Sequence, residues 1–140
     1  MENQNKQGME SNFVPYELAV KLKELGFDKD CFKVKVLGKE QYDYTQSDYA
    51  DFPEQREKEV LIPLWQQVFD WFREVKHMES FIKSKYVEKE NKGFYFGIDN
   101  YKDRDFYSET YYSYELARTA CLEKLIEITN TQHHERRSEK

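Results

Sequence analysis

The sequence predicts an α+β fold of order α-β-β-α-β-β-β-α, with antiparallel sheet or sheets covered by helices. Three observations predict it. Apolar residues recur at helical spacing in three separate runs. Between those runs, apolar and polar residues alternate with the period of a strand. The alternating runs are joined by short connections, which favour hairpins and antiparallel pairing. A chain of 140 residues can bury a core without metal or disulfide support. A single domain is expected over residues 13–130, between a disordered arm at 1–12 and a flexible tail at 131–140.

The first helix lies in "FVPYELAVKLKELGF". Pro15 suits the first helical position, where a missing N–H has no partner to lose. Phe13 and Leu18 stand where a hydrophobic staple would join them. Leu18, Leu22 and Leu25 form the buried stripe, and Gly26 ends it with Phe27 placed to cover Leu22. "CFKVKVL" then alternates Phe32, Val34 and Val36 with Lys33 and Lys35, a strand with one buried face. Gly38 supplies a turn. "QYDYT" alternates again, so Tyr42 and Tyr44 read as the return strand of a hairpin.

From residue 46 to 59 no period survives, and a long acidic surface loop is expected. "VLIPLWQQVFDWFREV" reads as the second helix, with Pro63 at its first position. Leu64, Val68, Trp71, Phe72 and Val75 make its apolar face, widened by Trp65 and Phe69. Three strands follow: "SFIKSKYVE", then "GFYFGID" with Phe94, Phe96 and Ile98 on one face, then the short edge "RDFYSE". "KENKG" between the first two suits a hairpin loop. The last helix opens in "SYELARTACLEKLIEI", with Ser113 as N-cap. Its inner stripe is Tyr114, Ala117, Cys121, Leu125 and Ile128, with Ala120 beside it.

Hydrophobic residues are 39% of the chain and charged residues 35%. The core is therefore expected to rest largely on rings, supplied by 10 Phe, 11 Tyr and 2 Trp. A net charge of −5 argues against a general phosphate-backbone binder. No apolar run reaches the length of a membrane span, so no membrane is expected among the partners. The polar start "MENQNKQGMESN" lacks the apolar segment of a signal peptide. A cytoplasmic location is expected, with Cys31 and Cys121 reduced.

The residues offer little for catalysis. His77, His133 and His134 are the histidines, and neither CxxC nor HExxH occurs, so no metal or cofactor is expected. Cys121 reads as a packing residue on its helix, and Cys31 opens a strand. Asp103 with Asp105, and Asp48 with Asp51, read as solvated acids. Gly93 and Gly97 fit neither a P-loop nor a dinucleotide fingerprint. Gly97 instead suggests a bulge or close packing under a helix. No catalytic residue is assigned.

"FVPYELAVKLKELGFDKDCF", "PLWQQVFDWFRE" and "SYELARTACLEKLIEI" together resemble a group of small proteins encoded by phages and other mobile elements of Bacteroides-like bacteria. Where that group opens its last helix with Thr-Tyr-Glu-Glu, this chain has Ser113-Tyr114-Glu115-Leu116. Residues 63–129 also resemble the phage ABA sandwich arrangement of helix, strands and Ala-rich helix. Neither likeness implies an established activity.

The resulting expectation is a non-catalytic phage or mobile-element accessory protein that binds a host or phage macromolecule, with a protein as the expected partner. Its anchors would be Tyr49 and Phe52 between Asp48 and Asp51. They lie in residues 38–59, where seven acids meet three bases. Two alternatives come from other classes. One is single-stranded nucleic-acid binding through Tyr95 and Tyr107, with Lys83 and Lys85 nearby, since exposed rings stack bases. Ordinary strand tyrosines are the plainer reading of the same residues. The other alternative is a hydrolase with an unrecognised site.

Overall fold

A computed structural model describes residues 12–29, 31, 33–36, 59–86, 92–100 and 105–138. The expected return strand at Tyr42 and Tyr44, and the anchors Asp48, Tyr49, Asp51 and Phe52, lie outside the described residues. The chain is α+β and follows the predicted order: α1 (Tyr16–Glu24), β1 (Lys33–Val36), β2 (Glu59–Ile62), α2 (Trp65–Val75), β3 (Met78–Tyr86), β4 (Lys92–Asn100), β5 (Phe106–Tyr107) and α3 (Tyr114–Ser138). It divides into two compact units, residues 1–68 and 69–140.

In the first unit, α1 packs on β2 of a two-stranded antiparallel sheet. Leu18, Ala19, Leu22 and Leu25 are buried on the helix, and Val34, Val60 and Ile62 on the strands. Pro15 stands one position earlier than expected, as the N-cap; its carbonyl accepts from the N–H groups of Leu18 and Ala19. The helix closes as the sequence suggests. Gly26 has φ +96°, Phe27 N–H donates to Leu22 O at 3.0 Å, and Gly26 N–H donates to Lys23 O at 3.0 Å. Those two bonds define a Schellman cap, which a left-handed residue makes attainable.

The second described strand is Glu59–Ile62. β1 pairs with Glu59–Ile62, Val34 opposite Leu61. This corrects the assignment of Glu59 to the loop, and it makes a strand of Val60–Ile62, which precede the expected helix start at Pro63. A short apolar run fits either element, and here the pairing partner decides. Helix α2 starts only at Trp65, and the Leu64 N–H donates to Gln67 Oε1 at 2.9 Å. That is the reach-back half of a capping box. Pro63, which is buried, links strand to helix, and its carbonyl accepts from Val14 N–H at 2.9 Å.

In the second unit, β3, β4 and β5 form an antiparallel sheet with β4 central, and β5 is the short edge predicted for it. Helix α3 packs on β4 and β3. Ser113 caps it, its Oγ accepting from Leu116 N–H at 3.1 Å. The buried residues of α3 are Ala117, Cys121, Leu122, Leu125, Ile126 and Thr129. The predicted stripe is thus rotated: Tyr114 is 43% exposed, and Leu122 and Ile126 take the inner places. Thr129 meets burial by donating its hydroxyl to Leu125 O at 2.9 Å. The helix continues to Ser138, past the residue 130 where the sequence reading ended it.

The core corrects one compositional expectation. Phe27, Trp65, Trp71, Phe72 and Phe96 are buried, but the other buried apolar side chains are aliphatic or sulfur-bearing, and no described tyrosine is among them. A phenol needs a partner or water, and a sheet with one covered face offers water on the other.

Candidate functional site

The pleat of β3, β4 and β5 separates two sets of side chains. Met78, Ile98 and Phe96 lie on the helix-covered face and are buried. The other face carries Phe81, Lys83 and Lys85 from β3, Gly93, Tyr95, Gly97 and Asp99 from β4, and Tyr107 from β5. The register fixes its rows: Phe81 opposite Gly97, and Gly97 opposite Tyr107. Lys83 stands opposite Tyr95, and Lys85 opposite Gly93. The structure therefore brings Tyr95, Tyr107, Lys83 and Lys85 onto one surface.

Phe81 organises that surface. Its ring meets Tyr95 edge-on, with centroids 6.0 Å apart at 89°. It meets Tyr107 at 6.3 Å and 56°. The Lys83 ammonium sits 4.7 Å from the Phe81 ring centre, within cation–π range. The ring lies over Gly97, where an added Cβ would overlap Cζ and Cε1 of Phe81. Gly97 is thus a close-packing glycine, as predicted, but the neighbour is a ring of the adjacent strand and not a helix. Phe81 and Tyr95 are half-buried, whereas Lys83 and Lys85 are exposed and Tyr107 is 62% exposed.

Charge is graded along the face. Lys83 and Lys85 mark one end; Glu79, Asp99 and Asp105 mark the other, all exposed. Asp105 is held above its ordinary value of 3.8 because its carboxyl hydrogen-bonds Asp99 and then feels that neighbour's charge. A polyanion laid here meets attraction at the lysine end and repulsion at the carboxylate end.

Phe81 was absent from the sequence-derived candidates. Its signal was present: Phe81, Lys83 and Lys85 recur at every second position of "FIKSK" and so share a face. Cys31 and Cys121 are buried, and neither forms a disulfide. The Cys31 thiol donates to Lys29 O at 3.2 Å. Burial pushes the Cys121 thiol up to about 12, against a hydrogen bond from Ser80 that lowers it. The environment of Cys121 does not favour a thiolate at neutral pH. Among the described residues, no group of three His, Cys, Asp or Glu is placed to hold a metal ion. Nor is any helix long and apolar enough to cross a membrane.

Comparison with protein-family models, curated proteins and solved structures found no match for this chain.

Proposed function

We propose that this protein is a non-catalytic binding module whose three-stranded sheet takes single-stranded nucleic acid on the face of Phe81, Tyr95 and Tyr107. The observation that carries the reading is the exposed Tyr107 ring beside Phe81 and Tyr95, with Lys83 and Lys85 on the same surface. Bases stack on such rings with little regard for sequence, and the ammonium groups neutralise phosphates. The carboxylates at the far end fix the polarity of the site, so that the sugar-phosphate chain leaves over Lys85. This reading moves the binding site from the acidic loop to the sheet and replaces the expected protein partner with nucleic acid.

The test is fluorescence anisotropy with a labelled 15-nucleotide oligothymidine. Affinity should fall as salt rises, because bound cations are released from the strand. Tyr107→Ala should weaken binding by about 1–3 kcal/mol, the usual value of one stacked base. Lys83→Gln with Lys85→Gln should flatten the salt dependence. Absence of binding by the wild-type chain at low salt rejects the reading.

A further inference from the structure

On the other side of the same sheet, β4, β5 and α3 enclose an open groove of about 430 Å³. Its floor is aromatic. Phe96 packs against Phe106 with centroids 5.7 Å apart, and stacks on Tyr111 at 6.3 Å and 19°. Its rim is acidic: Glu109 follows β5, and Glu123 and Glu127 line the helix wall. The small side chain of Ala120 leaves the space open. Ser108 adds no free polar group, since its Oγ accepts from Phe96 N–H at 2.9 Å and donates to Glu109 O at 2.7 Å.

Two further observations state what such a groove accepts. Lys124 already lays an ammonium on the floor, 4.6 Å from the Phe106 ring centre and 3.2 Å from Glu127 Oε1. The Tyr111 phenol is raised above its ordinary value of 10.0, first by burial and then by the charges of Glu109 and Glu123. The carboxylates of two separate elements therefore converge on one ring. Ring faces and carboxylates together select a cation.

We propose that this groove binds a lysine or arginine side chain presented by a basic segment of a partner protein, and that Lys124 is its internal placeholder. The helix wall from Ala120 to Glu127 spans about 10 Å at the rise of an α-helix. That matches about three residues of extended chain, which favours a peptide over a lone ammonium ion. The site is separate from the sheet face assigned to nucleic acid.

The experiment measures anisotropy of a fluorescein-labelled nonapeptide of alternating lysine and glycine. Wild type should bind at low salt, and Lys124→Ala should bind about two- to fivefold more tightly, the equivalent of one exposed cation–ring contact. Glu109→Gln with Glu123→Gln should weaken binding about tenfold, and both positions are exposed enough to leave folding intact. Phe106→Leu should lose affinity at similar volume. Tyr107→Ala should bind the peptide like wild type, which separates this site from the oligonucleotide face. No binding by wild type or Lys124→Ala, or indifference to the double glutamine change, overturns the proposal. So does complete competition by spermine at equal charge concentration, which would assign the groove to free polyamines.

Discussion

The rings of Phe81 and Tyr107 meet 6.3 Å apart although a third strand runs between theirs. Alternate strands of a sheet lie about 10 Å apart. The two rings close that distance only because the residue between them is Gly97. The missing side chain thereby creates a continuous aromatic patch.

Gly97→Ala would place a methyl where the Phe81 ring lies. Alanine ordinarily improves a strand interior; here overpacking should dominate and cost about 1–3 kcal/mol. Urea unfolding of Gly97→Ala, Phe81→Ala and the double variant checks this. The alanine cost should largely vanish once Phe81 is removed, since the two residues are coupled by contact.

His77 follows α2 with φ +58°, the left-handed region. A β-branched residue tolerates this least. His77→Val should lower stability by about 1–2 kcal/mol. His77→Gly should leave stability equal or higher by about 1 kcal/mol, relief of strain outweighing added freedom in the unfolded chain. Thermal melts of the two variants against wild type decide it.

The thiol of Cys121 is pushed up to about 12 by burial, from an ordinary value of 9.0. Its folded value exceeds its unfolded value. Its contribution is therefore complete below pH 9 and is lost as pH rises toward 12, because the unfolded chain releases the proton first. The loss should approach about 1.4 kcal/mol per pH unit in that window. Comparing wild type with Cys121→Ala cancels the titration of lysines and tyrosines, and the difference should show this slope. Iodoacetamide at pH 8 should label Cys121 only on unfolding.

Asp105 is raised by its hydrogen bond and charge contact with Asp99. The bonded, protonated form stabilises the fold below the ordinary value of 3.8. That benefit is lost as pH rises through the raised folded value, leaving two facing carboxylates. Asp105→Asn should therefore raise the melting temperature at pH 7. Its advantage should disappear near pH 3, where the wild-type carboxyl donates the same bond.

Local signals carried much of the fold into the sequence. Gly26 with Phe27, the serine at position 113, and the alternation Phe94, Phe96, Ile98 each specify geometry within a few residues, and each stands in the structure. What failed depends on distant partners. Val60, Leu61 and Ile62 become a strand because β1 lies beside them, more than twenty positions earlier in the chain. The stripe of α3 was misplaced because Tyr114 and Ile128 fit a helical period as well as Leu122 and Ile126 do. The surface beneath it decides which set is buried. Tyr95, Tyr107, Lys83 and Lys85 can be named from the sequence, but their placement on one face of the sheet was not legible. It needs the strand register, which sets Gly97 between Phe81 and Tyr107.

Among the described residues, strand β3 terminates its sheet, with no neighbouring strand of that sheet on one side. Such a margin invites a second copy to extend the ladder. Antiparallel self-pairing centred on Ser84 would set Lys83 of each copy against Lys85 of the other, ammonium against ammonium. In that register the same two lysines would oppose strand-to-strand self-association. A polyanion that masked them would remove this protection along with their charge.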